Sequence, residues 1–97
     1  MHMLDYQPPS ADELKRFKSQ LGFSGQQMAE LACVSGGQQW RKYTDGATPR
    51  NLNMHILFFM AARLALAPEQ LEVIADKMRS IGAQVDAQAL GKVPQGR

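Results

Sequence analysis

Four polar residues in a short stretch, Gln38, Gln39, Arg41 and Lys42, carry the most specific chemistry in this chain. A glutamine amide donates and accepts at once and can pair bidentately with adenine N6 and N7. Arginine and lysine can donate to guanine O6 and N7. In a helix, at about 100° per residue, Gln38, Arg41 and Lys42 fall on one side, flanked by Ser35 and Gln39. Gly36, Trp40 and Tyr43 fall on the other. A polar side of this kind, backed by aromatic residues that anchor it, is what base-edge recognition in the major groove of duplex DNA requires. The same polarity would also suit a merely solvated helix, so the neighbouring elements must decide between the two.

Other chemistry finds little support. His2 lies near the N-terminus, and His55 sits in an apolar stretch without a Cys or Asp at ligand spacing. Cys33 has no base close to it in sequence and is expected to fill a small buried position. No glycine-rich phosphate loop follows a strand, and no cysteine pairs suggest zinc. Neither catalysis nor a metal or cofactor is expected.

The elements that would position the polar quartet are helical, because no stretch alternates apolar and polar residues as a strand does. Ser10 and Glu13 form a capping box, and Leu14, Phe17 and Leu21 follow at helical spacing up to Gly22. This predicts a first helix over about 11–21. Ser24 and Gln27 repeat the capping pattern ahead of Met28, Leu31 and Ala32, predicting a short second helix over about 25–32. Ser35 and Gln38 offer a third such start, for a helix over about 35–43 closed by Asp45-Gly46. Two short helices joined by a tight corner at Cys33-Val34-Ser35 make a helix-turn-helix. Gly36 and Gly37 leave the start of the third helix bare, so its backbone N–H groups could approach phosphates.

A fourth helix is expected over about 51–66. Its apolar residues, among them Leu52, Ile56, Phe58, Phe59 and Met60, occupy most of its circumference, so it must be central to the core or half-buried in a partner. Pro68 suits the first position of a fifth helix, in which Leu71, Ile74, Met78 and Ile81 recur at helical spacing. Those four suit either a face packed on the core or a self-association seam. From about residue 83 to residue 97 the chain is small, polar and Gly/Pro-containing, and it reads as a flexible tail. The first eight or nine residues look similarly loose.

The stretch from Gln26 through Met28, Ala29, Leu31 and Val34 to Ser35, followed by Trp40-Arg41-Lys42-Tyr43 and then Gly46 and Pro49, resembles the lambda-repressor-like (Cro/C1, XRE-type) helix-turn-helix family. The resemblance spans about 11–66 and is one of residue types. Cys33 stands where the family has a corner glycine, and the stretch between Ser35 and Trp40 is one residue longer than usual. The resemblance implies a compact five-helix, all-α domain over 10–82. It further implies base contacts from Ser35, Gln38, Gln39, Arg41 and Lys42. Phosphate contacts would come from Ser24, Gln26, Gln27, Gly36, Gly37 and Arg50. Lys15, Arg16 and Lys18 suit a phosphate clamp or a solvated face equally. The family also implies a homodimer on a palindromic operator, with Leu71, Ile74, Met78 and Ile81 at the interface.

The totals accommodate this picture. The chain has 97 residues, 44% of them hydrophobic and 21% charged, so a single folded domain is expected. A formal net charge of +2 permits nucleic-acid binding without demanding it, since the placement of the cations decides. A single cysteine excludes an intramolecular disulfide and fits a reducing cytoplasm. No secretory signal is visible, and the most apolar run, 54–66, contains Arg63 and falls short of the roughly 20 residues of a membrane span. The expected function is a small transcriptional regulator, chiefly a repressor, of the kind found in phages, plasmids and other mobile elements. The rival expectation is a protein-interaction module, an antitoxin or adaptor, that binds a partner through helices four and five.

Overall fold

In the computed structural model, which describes residues 5–96, the chain is all-helical, with no strand among those residues. The helices are α1 (Ala11–Leu21), α2 (Gly25–Ala32), α3 (Gly37–Arg41), α4 (Met54–Ala65), α5 (Pro68–Ile81) and α6 (Ala87–Gly91). None is long and apolar enough to cross a membrane.

The first two helices begin and end as their caps dictate. Ser10 Oγ accepts from the Glu13 N–H at 3.0 Å, while Glu13 Oε1 accepts from the Ser10 N–H at 2.8 Å. These bonds to its charged form hold the Glu13 carboxyl below its usual pKa. Ser24 and Gln27 repeat the exchange at 3.1 and 2.9 Å. Gly22 closes α1 in the left-handed region, at φ 71°.

At the end of α2 the same conformation falls on Cys33, at φ 59°. The thiol is exposed, contrary to the expected buried packing. Cys33 provides the left-handed residue of the corner, and its side chain stays in solvent. Because Cys33 carries a Cβ, the conformation costs about 1–2 kcal/mol. Glycine would remove that cost while losing about 0.5–1 kcal/mol to its freer unfolded chain. Cys33→Gly is therefore expected to stabilise the fold by about 1 kcal/mol in urea denaturation, whereas Cys33→Ala, which keeps the Cβ, should not. Equal stability of the two variants would contradict this account.

The third helix is shorter than its sequence suggests. Ser35 does not cap it. The N-cap is Gly36, and no side chain of the cap residue bonds to the helix. Instead Gln26 Oε1, from the first turn of α2, accepts from the Gly37 N–H at 3.3 Å. Past Arg41 the chain tightens into successive turns, with Tyr43 N–H on the Trp40 carbonyl and Thr44 N–H on that of Arg41. Trp40 and Tyr43 are nonetheless buried as their spacing requires, 5.9 Å apart between ring centroids.

α4 starts at Met54 rather than near 51. Leu52 is drawn into the core in an extended segment, and Asn53 Oδ1 then caps the helix through the Ile56 N–H at 2.9 Å. The core unites Leu14, Met28, Leu31, Trp40, Leu52 and Met60 with the fully buried Ala29. The N-terminal segment is tied to it, because the Tyr6 hydroxyl donates to the Leu52 carbonyl at 2.7 Å. Desolvation there raises the Tyr6 pKa.

The stretch expected to be a flexible tail instead carries α6, capped by Asp86 through the Gln88 N–H at 2.9 Å. Leu71 and Ala75 of α5 are buried, and α5 packs chiefly on α6. After α6 the chain returns to the domain, where Val93 packs on the core and the Gln95 carbonyl accepts from Gln27 Nε2 at 3.0 Å.

This return is organised by Arg63. Its Nη1 donates to the Glu30 and Leu31 carbonyls at 2.9 and 2.8 Å, its Nε to that of Leu90 at 2.9 Å, and its Nη2 to that of Lys92 at 2.8 Å. The guanidinium lies 5.3 Å from the centre of the Phe59 ring. One cation thus satisfies carbonyls at the C-terminal ends of two helices, where helix dipoles favour positive charge. Composition alone marks 83–97 as a tail because small polar residues bury little; these bonds supply what burial does not.

Candidate nucleic-acid interface

The corner of α2 and α3 presents the polar quartet as its spacing predicts. Trp40 is 1% exposed and anchors α3, whereas Gln38, Arg41 and Lys42 are exposed and Gln39 is partly buried. The two helices approach closely at their N-terminal ends. A Cβ on Gly37 would lie 3.5 Å from the Gln26 nitrogen and 3.6 Å from the Gly25 carbonyl carbon, and 3.2 Å from Arg41 Nη1. The backbone distances are ordinary contacts and the Arg41 guanidinium can shift, so a small side chain would fit at 37, as it would at 25, where the nearest atom is Arg41 Nη1 at 3.7 Å.

The hydrogen bonds of the corner change the roles expected of several residues. The Gly37 amide is occupied by Gln26 and is not a free donor. Ser24 and Gln27 each spend a side-chain oxygen on the α2 cap, and Gln27 spends its amide nitrogen on Gln95. Gln26 acts first as the positioning residue of α3, which sequence spacing did not reveal. Ser35 is exposed at the corner, with no cap bond to α3.

Arg50 is brought to the quartet by its backbone. Its N–H donates to the Lys42 carbonyl at 2.7 Å, pinning the loop after α3 against the end of that helix. Lys15 and Lys18 line a depression together with Arg41, and Arg16 does not. Arg16 instead faces Glu13, whose pKa it helps to lower. The three cations expected as one group on helix one thus separate into two.

The ion pairs among the described residues join Arg79 to Glu72 and Asp76, at 3.7 and 2.6 Å. No carboxylate of those residues lies within pairing distance of Lys15, Lys18, Arg41, Lys42 or Arg50. The surface around α3 therefore carries cations that the fold does not neutralise. Cations in this state, beside exposed amides, can exchange bound counterions for phosphates and can donate to base edges.

A second surface lies on α4 and α5. Phe58 of α4 is 72% exposed, and Val73 and Ile81 of α5 are 69% and 79% exposed. Between α4 and α5 an apolar groove of about 480 Å³ is lined by Met54, Phe58, Phe59, Ile74 and Met78, with His55 at its wall. Of the residues expected at a self-association seam, Leu71 is buried within the chain, 3.7 Å from where a Cβ on Gly91 would lie. Ile74, Met78 and Ile81 remain outward. Phe58 belongs with them, and its place was hidden because α4 is apolar around most of its circumference. Among the described residues no three His, Cys, Asp or Glu side chains gather as a metal site would need.

Comparison with models of known families, with curated proteins and with solved structures finds no match.

Proposed function

We propose that this chain is a sequence-specific, double-stranded-DNA-binding regulator of transcription with a lambda-repressor-like helix-turn-helix. It acts in the cytoplasm as a homodimer on a palindromic operator, and represses by occupying a promoter. The observation that carries the proposal is the α2–α3 corner, where Gln38, Arg41 and Lys42 are exposed on a helix whose Trp40 is buried. An anchored helix with a polar outer side can be set into a groove as a rigid unit, which base discrimination needs. The base-contacting set is Ser35, Gln38, Gln39, Arg41 and Lys42, of which all but Gln39 are exposed. Arg50 and the amide nitrogen of Gln26 act on phosphates. Two copies pair through Ile74, Met78, Ile81 and Phe58, since a domain of this size gains useful affinity by doubling its contacts.

The alternative, an antitoxin or adaptor that binds another protein through α4 and α5, draws on the same apolar groove. Selection of randomised duplexes separates the two. The expected result is enrichment of a palindrome, with affinity that falls steeply as salt rises. Arg41→Ala/Lys42→Ala should weaken binding at least about tenfold, because one bidentate base contact contributes about 1–3 kcal/mol. Absence of selection, together with no affinity at low salt, would sink the DNA reading and leave the protein-partner one.

A further inference from the structure

Among the described residues, Trp40 holds the one buried side-chain polar atom without a partner. Its indole Nε1 is inaccessible to solvent and has no hydrogen-bond partner, although buried polar groups nearly always find one. The residue also forms part of the wall of a depression of about 340 Å³, between α1, the start of α2 and α3. Lys15, Lys18 and Arg41 line the same depression, with Asp45 as its one carboxylate. Asp45 is itself engaged, accepting from the Thr44 hydroxyl at 2.9 Å. Gly25 reaches the depression as the first residue of α2, where backbone N–H groups lack intrahelical acceptors. Donors therefore converge on this depression from three elements, and the acceptors that would match them are scarce.

We propose that this depression binds a phosphate-class oxyanion, either free or as a phosphodiester of a nucleic-acid backbone. The lysines supply charge and the α2 start supplies backbone donors. Binding requires the wall to move far enough for the buried indole N–H to reach the anion, and this movement is what the Trp40 emission reads. Arg41 serves as the side of the depression nearest α3, which places the anion next to the polar quartet without consuming Gln38 or Lys42. The proposal does not depend on base recognition, because free phosphate suffices to test it.

Trp40 is the only tryptophan, so its emission reports on the depression directly. Inorganic phosphate, titrated into the full chain at constant ionic strength with chloride as the balancing ion, is expected to shift that emission saturably. Lys15→Gln/Lys18→Gln should abolish the shift while leaving the helical circular dichroism unchanged. Arg16→Gln, outside the depression, should retain it. Duplex binding separates the two sources of phosphate. If the occupant is a backbone phosphodiester, the double variant should also lower the slope of log affinity against log salt by about 1–2. An unchanged slope with the emission response intact assigns the site to a free oxyanion. No saturable emission change, or the same change in Lys15→Gln/Lys18→Gln, overturns the proposal whatever the duplex measurements give.

Discussion

Arg63→Met is expected to lower the stability of this protein by about 3 kcal/mol and to release residues 87–96 from the rest of the domain. Methionine keeps much of the apolar stem but none of the donors, so the carbonyls of Leu31, Leu90 and Lys92 lose their partner and that of Glu30 keeps only the Cys33 N–H, at 3.3 Å. A hydrogen bond to a charged group contributes about 1.5–3 kcal/mol. Four such bonds sharing one guanidinium are not additive, and water can reach part of the cluster, so the total stays near the upper end of one bond. Lysine at 63 should recover only part of the loss, since an ammonium cannot reach both helix ends as the planar fork does. Urea denaturation reads the stability. Amide exchange reads the release, through faster exchange in α6 and at Val93 than in α2. A loss below about 1 kcal/mol, or unchanged protection of α6, would show that burial of Val93 and Ala87 holds the return segment without the arginine.

The second large effect concerns assembly. Phe58→Asp/Ile81→Asp is expected to convert a dimer into a monomer and to weaken operator binding by about a thousandfold or more. Each of these side chains is more than two-thirds exposed in the single chain. Burying an aliphatic or aromatic side chain of this size contributes about 1.5–3 kcal/mol, and a buried unpaired carboxylate in its place costs more. The fold itself should tolerate the changes, because neither residue belongs to the core. The Cα radius of gyration, 14.4 Å, exceeds the roughly 12.5 Å of a compact chain of this length. That excess agrees with α5 standing off the core with little but α6 beside it. Sedimentation of the unaltered protein and the variant, followed by duplex titration of both, checks the prediction. A monomeric unaltered protein at micromolar concentration would remove the homodimer. A variant that remains dimeric would move the interface elsewhere.

Much of the local structure is legible from the chain alone. Ser10 with Glu13 and Ser24 with Gln27 start their helices where the capping pattern places them, and Pro68 opens α5. These features were readable because each rests on bonds between residues a few positions apart. The sidedness of the α2–α3 corner was legible for the same reason: Trp40 and Tyr43 go inward, and Gln38, Arg41 and Lys42 stay outward. Leu71 shows the limit. Its spacing placed it in one stripe with Ile74, Met78 and Ile81, but periodicity identifies a stripe without saying which of its members the chain itself covers.

What the sequence determined by itself is therefore the set of local elements: the helical class, most of the helix ends, and the outward Gln38, Arg41 and Lys42. Tertiary structure decided the rest. It handed the start of α3 to Gln26 instead of Ser35, and it turned Cys33 outward. It made Arg63, an interruption in an apolar run, the tie between two helix ends. It also drew residues 87–96 back onto the domain. Apart from Cys33, which closes its own helix in a left-handed turn, the cases share one physical reason. Each depends on a backbone group left without a partner by its own helix, or on space left by a distant element, and neither is encoded in the spacing of neighbours along the chain.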